Sequence, residues 1–199
     1  MRRILMFSVL VAALSAMASG DIIVTLNSPP VANGSNFNWT YTATLKSGSS
    51  LMNGDFFTID DIGGGFGPGT PIANPVIMPG SNWSSSIQLV GIDGFNQAPP
   101  EISTLYNITF TFVGSAPVVA IADTILGGGA GAFGYTSSTN IPVMSVFSAT
   151  SHSTIDGFSQ GNTSSLAVAD PPVPEPAAII LSGGGLIALS LLRRYRKKA

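Results

Sequence analysis

The chain has no cysteine and little charge. None of its 199 residues is Cys, and charged residues make up only 9%. The lack of Cys excludes disulfides, thiol catalysis, Cys-based zinc sites and iron–sulfur clusters. Its one histidine, His152, excludes a histidine-rich metal site. The apolar content of 45% is too high for an ordinary disordered chain, so we predict one folded domain of roughly 150 residues.

Basic residues are also scarce between the two ends of the chain. Lys46 is the only base between residues 21 and 170, where nine acidic residues give a net charge of −8. A domain this acidic is repelled by phosphate backbones, so we expect no nucleic-acid partner. The other bases are Arg2, Arg3, Arg193, Arg194, Arg196, Lys197 and Lys198.

The N-terminus has the pattern of a secretion signal. Two arginines precede an apolar run over residues 4–14, and Ala16 and Ala18 supply the small residues that signal peptidase requires. We predict a signal peptide over residues 1–18, cleaved after Ala18, with cleavage at Ser19 or Gly20 as the alternative. An uncleaved anchor helix is the competing interpretation.

The C-terminus has three successive segments. Residues 170–176 form a Pro-rich linker, and residues 177–192 carry no charge. As a helix, that uncharged run would span about 24 Å, slightly less than a hydrocarbon core of about 30 Å. The basic tail, residues 193–199, should stay cytoplasmic. We therefore predict a single transmembrane helix in the inner membrane, with residues 19–169 outside.

The order of these C-terminal segments resembles the PEP-CTERM sorting signal of Gram-negative bacteria. The resemblance rests on Val173-Pro174-Glu175-Pro176, the Gly-bearing apolar run and the Arg-rich end. It implies recognition of Pro174, Glu175 and Pro176 by exosortase, a membrane-embedded processing enzyme, with the five terminal bases as a stop signal. It also implies delivery to the cell surface or extracellular matrix, with a link to exopolysaccharide or biofilm. A plain single-pass anchor is the alternative.

The middle of the chain is predicted to be all-β. Residues 37–46 and 106–112 alternate apolar and polar side chains, which is typical of half-buried strands and places Asn107 and Thr109 on the solvent side. Shorter candidate strands are 22–26, 56–59, 87–90, 118–121 and 143–149. We expect an antiparallel β-sandwich, with a jelly roll as the alternative.

Few residues of this domain suggest chemistry. The chain has no G-x-S-x-G motif, and we expect His152 to lie in an exposed loop. Asp93 and Asp156 each precede glycine and are interpreted as turn residues. Asp55, Asp60 and Asp61 precede three glycines, and calcium binding there is a hypothesis. We expect no other metal, no cofactor and no catalytic residue. The Gly-rich stretch 127–131 lacks the Lys of a phosphate loop and is predicted to be a flexible loop.

The tryptophans separate two candidate roles. Trp39 shares a strand face with other aromatics and is expected in the core, whereas Trp83 follows a turn and is the candidate for an exposed sugar platform. The leading hypothesis is a non-enzymatic surface or matrix protein. A secreted carbohydrate-binding module is the alternative, and a secreted hydrolase ranks third.

Overall fold

A computed structural model describes residues 21–67, 72, 75–89 and 104–170. This part of the chain holds thirteen strands and one short 3₁₀ turn, Leu126–Gly128. Its strands form two antiparallel sheets, so the all-β and antiparallel predictions are confirmed. Sheet I contains β1 (Ile22–Leu26), β2 (Val31–Asn33), β3 (Asn36–Leu45), β6 (Val76–Ile77), β10 (Thr124–Ile125) and β11 (Phe133–Ser137). Sheet II contains β4 (Ser49–Leu51), β5 (Phe56–Ile62), β7 (Trp83–Gln88), β8 (Tyr106–Phe112), β9 (Val118–Val119), β12 (Pro142–Ser153) and β13 (Ser159–Ala169).

Strand β3 is the centre of sheet I and follows its sequence pattern closely. It pairs with β1, β2, β10 and β11. Its odd-numbered residues Trp39, Tyr41, Ala43 and Leu45 are fully buried, while the residues between them are half-buried. This period of two is the consequence of side chains alternating between the faces of a pleated strand. The predicted core position of Trp39 is confirmed.

Aromatic rings join the two sheets into one core. Phe133 of sheet I meets Phe57 of sheet II edge to face, with the ring centroids 5.0 Å apart. Phe57 also stacks on Phe110 at 5.0 Å, and Trp83 packs on Phe133 at 4.8 Å. Each such pair adds about 0.5–1.5 kcal/mol beyond the area it buries. The inner faces of the sheets therefore stabilise each other mainly through this cluster.

The polar side of β8 is buried, which corrects the sequence interpretation. Asn107 and Thr109 were expected in solvent but are 0% exposed. The Asn107 side-chain oxygen accepts a hydrogen bond from the backbone N–H of Asp61 at 2.7 Å, and the hydroxyls of Thr109 and Thr58 lie 2.9 Å apart. Because β8 lies between β5 and β7, its small polar side chains find partners on a neighbouring strand. Alternation with a period of two shows that a strand has an apolar and a polar face, but it does not show that the polar face is exposed to solvent.

Two long elements were missed because their composition is typical of loops. Strand β13 is rich in Ser, Asn and Gly, yet it pairs with β12 over eleven positions. Strand β11 contains Gly134, where an added Cβ would lie 2.0 Å from the backbone oxygen of Trp39. Close approach to β3 requires glycine at this position, so a residue type that usually weakens strands permits this one.

The described residues end before the predicted membrane segment. No helix within residues 21–67, 72, 75–89 and 104–170 has the length and apolar character needed to cross a membrane. The predicted signal peptide (1–18), transmembrane helix (177–192) and basic tail (193–199) lie outside the described residues, and these assignments remain predictions.

Candidate functional site

The C-terminal strand ties the chain firmly to the body of the protein up to Asp170. Val168 and Ala169 are fully buried, and the backbone N–H of Asp170 donates to the Ile141 carbonyl at 2.8 Å. The sorting residues Pro174, Glu175 and Pro176 follow a few residues later and lie outside the described residues. The predicted cleavage residues Ala16 and Ala18 and the bases Arg193, Arg194, Arg196, Lys197 and Lys198 lie outside them as well.

Two buried tyrosines of sheet I hold the end of β13. The backbone N–H of Ala169 donates to the Tyr135 hydroxyl at 2.9 Å, and the Tyr41 hydroxyl donates to the Ala167 carbonyl at 3.0 Å. The two hydroxyls lie 3.2 Å apart. The Tyr41 hydroxyl is the donor to Tyr135 as well as to Ala167, so the four groups form a continuous chain. We call this chain the tyrosine clamp.

Burial is the main cause of the raised pKa of both clamp hydroxyls. The pKa of Tyr41 is well above its ordinary value because the ionised phenol would lose its hydration, and the neighbouring Tyr135 raises it further. Burial also raises the pKa of Tyr135, although its hydrogen bonds with Tyr41 and Ala169 oppose that shift. The clamp is therefore neutral over the whole physiological range.

His152 lies on a strand, so the expectation of an exposed loop is wrong. It is near the end of β12, and its side chain is 23% exposed. Its Nδ1 lies 3.0 Å from Oδ2 of Asp55, and the same carboxylate oxygen accepts the backbone N–H of Met52 at 2.7 Å. The pair therefore fastens the β4–β5 connection to β12. Sequence reasoning missed it because 97 residues separate the partners.

The acidic residues considered for calcium do not assemble into a metal site. Asp55 is engaged with His152 and Met52, whereas Asp61 sits in a bulge of β5 with a φ of 54°. Within the described residues, no group of three or more His, Cys, Asp or Glu side chains could hold a metal ion. A positive φ is unusual for a non-glycine residue but is tolerated by Asp.

Trp83 is a core residue, so it is not the exposed sugar platform that the sequence suggested. It is only 6% exposed and makes edge-to-face contacts with Phe57, Phe112 and Phe133. The polar turn before it indicated a surface position. However, Trp83 begins β7 on the inner face of sheet II, where it closes the aromatic cluster.

One side of Trp83 nevertheless contributes to a groove of about 480 Å³. Its floor includes Leu51, Phe112 and Leu126, and its rim runs through two turns that contain Gly80 and Gly128. None of the lining side chains carries a charge. The groove therefore suits an uncharged ligand better than an ionic one.

The groove lies near the start of β13, and the described residues end just beyond the last residue of that strand. Leu51 lines the groove, and its neighbour Ser50 pairs with His152 of β12. His152 also pairs with Ser159, the first residue of β13. Strand β13 then runs for eleven residues before it reaches Ala169. At about 3.3 Å per residue, the strand itself is about 33 Å long.

The remaining candidate residues have structural roles. Asp156 lies in the turn between β12 and β13, where its carboxylate accepts the backbone N–H of Phe158 at 3.1 Å and Gly157 has a φ of 72°. Asp93 lies outside the described residues. Gly131 donates its backbone N–H to the Thr42 hydroxyl at 3.0 Å, so this part of the Gly-rich stretch is tied to β3.

Comparison with known families identifies the segment that follows β13. Residues 172–197 match the family model of the PEP-CTERM protein-sorting motif. The match begins two residues beyond Asp170, the last residue that the structure describes. The chain is therefore an exported protein that is sorted by way of the membrane. Its motif implies processing by exosortase. No curated protein and no solved structure matches the chain.

Proposed function

We propose that this chain is a non-enzymatic surface or matrix protein that exosortase processes after export. The observation that carries the proposal is the PEP-CTERM motif at residues 172–197, which follows β13, the last strand of the part of the chain that the structure describes. A recognition motif in this place is separated from the folded core by only a few residues. The processing enzyme can therefore reach it without unfolding the body.

The start of the body agrees with the proposed export route. The Asp21 carbonyl accepts the backbone N–H of Lys46 at 2.9 Å, and its own N–H donates to the Ser49 hydroxyl at 3.0 Å. Cleavage after Ala18 would leave only Ser19 and Gly20 ahead of this first anchored residue. Signal peptidase would thus remove the chain up to two residues before Asp21. The product would be a single-pass precursor with the body outside the inner membrane.

The tail at one end sets the orientation of the body on that precursor. Because β13 leads from the groove end to the tail, a membrane-held tail would direct the groove outward. We class the body as a β-sandwich. This class is supported by an aromatic core that lies between two antiparallel sheets, and a jelly roll stays the alternative.

The non-enzymatic role is supported by the contacts of His152, the only histidine of the sequence. Its Nδ1 is held by Asp55 at the junction of two strands, where the pair fastens a loop. The sequence offers no nucleophile motif to place beside it. Elsewhere in sheet II, the hydroxyls of Thr58 and Thr109 bond to each other.

Carbohydrate binding is retained as a second candidate because of the uncharged groove. An exosortase-sorted protein linked to exopolysaccharide would need a site facing away from the membrane, which is the position that the proposed orientation gives to the groove. Ile125→Asp would place a charge on its rim at a half-exposed side chain, and Ile155→Asp, in an exposed turn, is the matched control. Loss of polysaccharide retention in the first variant alone would support this candidate, and no retention by the wild type would remove it.

The leading proposal is tested by changing the motif while leaving the body intact. We expect the combined change Pro174→Ala and Glu175→Ala to leave the full-length precursor in the membrane fraction and to reduce the protein found in the matrix. Pro171→Ala, in the same linker but ahead of the matched residues 172–197, is the control. Normal processing of the double variant would contradict the assigned motif. Unchanged matrix yield and cell aggregation after gene deletion would contradict the matrix role.

A further inference from the structure

Strand β7 is an open edge of sheet II. Among the described residues it pairs with β8 alone, in a continuous register of six positions from Trp83 to Gln88. Its three central residues, Ser84, Ser85 and Ser86, are all exposed. The outward backbone N–H and C=O groups of such an edge are available for pairing with another strand.

This edge lacks the usual protection against pairing. Natural edge strands carry charged side chains, proline or a bulge that prevents another strand from approaching. The sequence of β7, WSSSIQ, has no charge and no proline, and its register with β8 has no shift. The apolar Leu89 directly beyond it is 43% exposed, and Ile87 is half-buried. A strand laid along β7 would cover both.

We propose that β7 pairs antiparallel with β7 of a second copy of this chain. Self-pairing across a two-fold axis places identical residues near one another, so a charged edge would repel itself whereas an uncharged serine edge does not. The exposed serines are centred on Ser85. An axis through Ser85 that continues the sheet sets Ser85 opposite its own copy and Ser84 opposite Ser86. Each exposed serine of one copy then lies opposite an exposed serine of the other copy.

A contact through one strand buries little surface area, so stable pairing requires a high local concentration of the protein. Interfaces below about 1,200 Å² are typical of weak or transient association. Copies held on one surface meet at a much higher effective concentration than copies in solution. The inference therefore rests on the proposed surface role and deepens it, since it names the partner as a neighbouring copy.

The absence of cysteine makes a direct test possible in the full chain. Cells that produce the Ser85→Cys variant are oxidised, and disulfide-linked dimers are measured on a non-reducing gel. Directly opposed residues of an antiparallel pair have Cα atoms about 4.5–5.5 Å apart, which a disulfide can span. Ser164→Cys, an exposed serine of β13, is the matched control. We expect a dimer band from Ser85→Cys and none from Ser164→Cys.

A charge pattern then tests the register without touching a buried residue. In the Ser85→Cys background, Ser84→Lys with Ser86→Lys opposes lysine to lysine in both pairs, and the dimer band should be lost. Ser84→Lys with Ser86→Glu opposes lysine to glutamate, and the band should return. No band from Ser85→Cys alone, an equal band from Ser164→Cys, or equal bands from both charge variants would overturn the proposal.

The two proposals fail separately. A dimer at Ser85 together with unchanged matrix yield after gene deletion would contradict the matrix role and leave the pairing supported. Reduced matrix yield without a dimer at Ser85 would contradict the pairing and leave the matrix role supported.

Discussion

Two outer strands of sheet II, β7 and β13, differ in how their side chains contact the rest of the protein. The end of β13 is held from across the core by the tyrosine clamp, and the Asn162 amide donates to the Ile22 carbonyl of β1 at 2.9 Å. Strand β7 is anchored at its first residue, Trp83, and then presents three exposed serines. Because of these bonds to sheet I, we call β13 the closed edge and β7 the open edge. The open edge uses none of the devices that prevent strand pairing.

The largest effect should follow from removing the anchor of the open edge. Trp83→Ala deletes the ring that packs on Phe57, Phe112 and Phe133, and a truncation of this size in a core costs about 3–5 kcal/mol. Urea unfolding followed by the fluorescence of Trp39 measures it. Trp83→Phe keeps an aromatic ring and should cost clearly less. Equal stability of the Ala variant and the wild type would show that Trp83 is a surface residue after all.

A smaller loss is expected from opening the closed edge. Tyr135→Phe removes the hydroxyl that accepts the Ala169 N–H, and a buried backbone donor without a partner costs about 1–3 kcal/mol. Tyr106→Phe, at a half-buried tyrosine of β8, is the control and should stay within about 0.5 kcal/mol of the wild type. If the two variants unfold at the same urea concentration, the clamp contributes nothing.

The clamp also predicts sensitivity to alkali. Unfolded tyrosines lose their protons near the ordinary pKa of 10.0, whereas burial raises the pKa of Tyr41 and Tyr135 in the folded protein. The folded state then binds more protons, so stability is fully present below about pH 10 and falls as the pH rises above it. Unfolding midpoints across this range measure the decline. Tyr135→Phe should show a shallower decline, and an equal slope in both proteins would contradict this account.

The smallest effect should come from the open edge itself. Ser84→Lys changes an exposed side chain, and its effect on the free energy of unfolding should lie within about 0.5 kcal/mol. The same measurement on Ser148→Lys, at a fully buried serine of β12, should show a large loss. A large loss in Ser84→Lys as well would mean that β7 is covered.

Local periodicity accounts for the part of the fold that sequence predicted well. The strands at residues 22–26 and 106–112 have the predicted bounds, and 37–46 differs from β3 by one residue at each end. What could not be predicted depends on distant partners. The burial of Asn107, the pairing of His152 with Asp55 and the core position of Trp83 all arise from contacts between separate strands. The sorting motif was recognisable because its residues are contiguous.

The processing of the C-terminus is the central claim and can be measured directly. Intact mass and C-terminal peptides of the protein are compared between cells with and without exosortase. We expect a chain shortened at or near Pro174–Pro176 in the first cells and the full chain ending at Ala199 in the second. The same C-terminus in both would contradict the account.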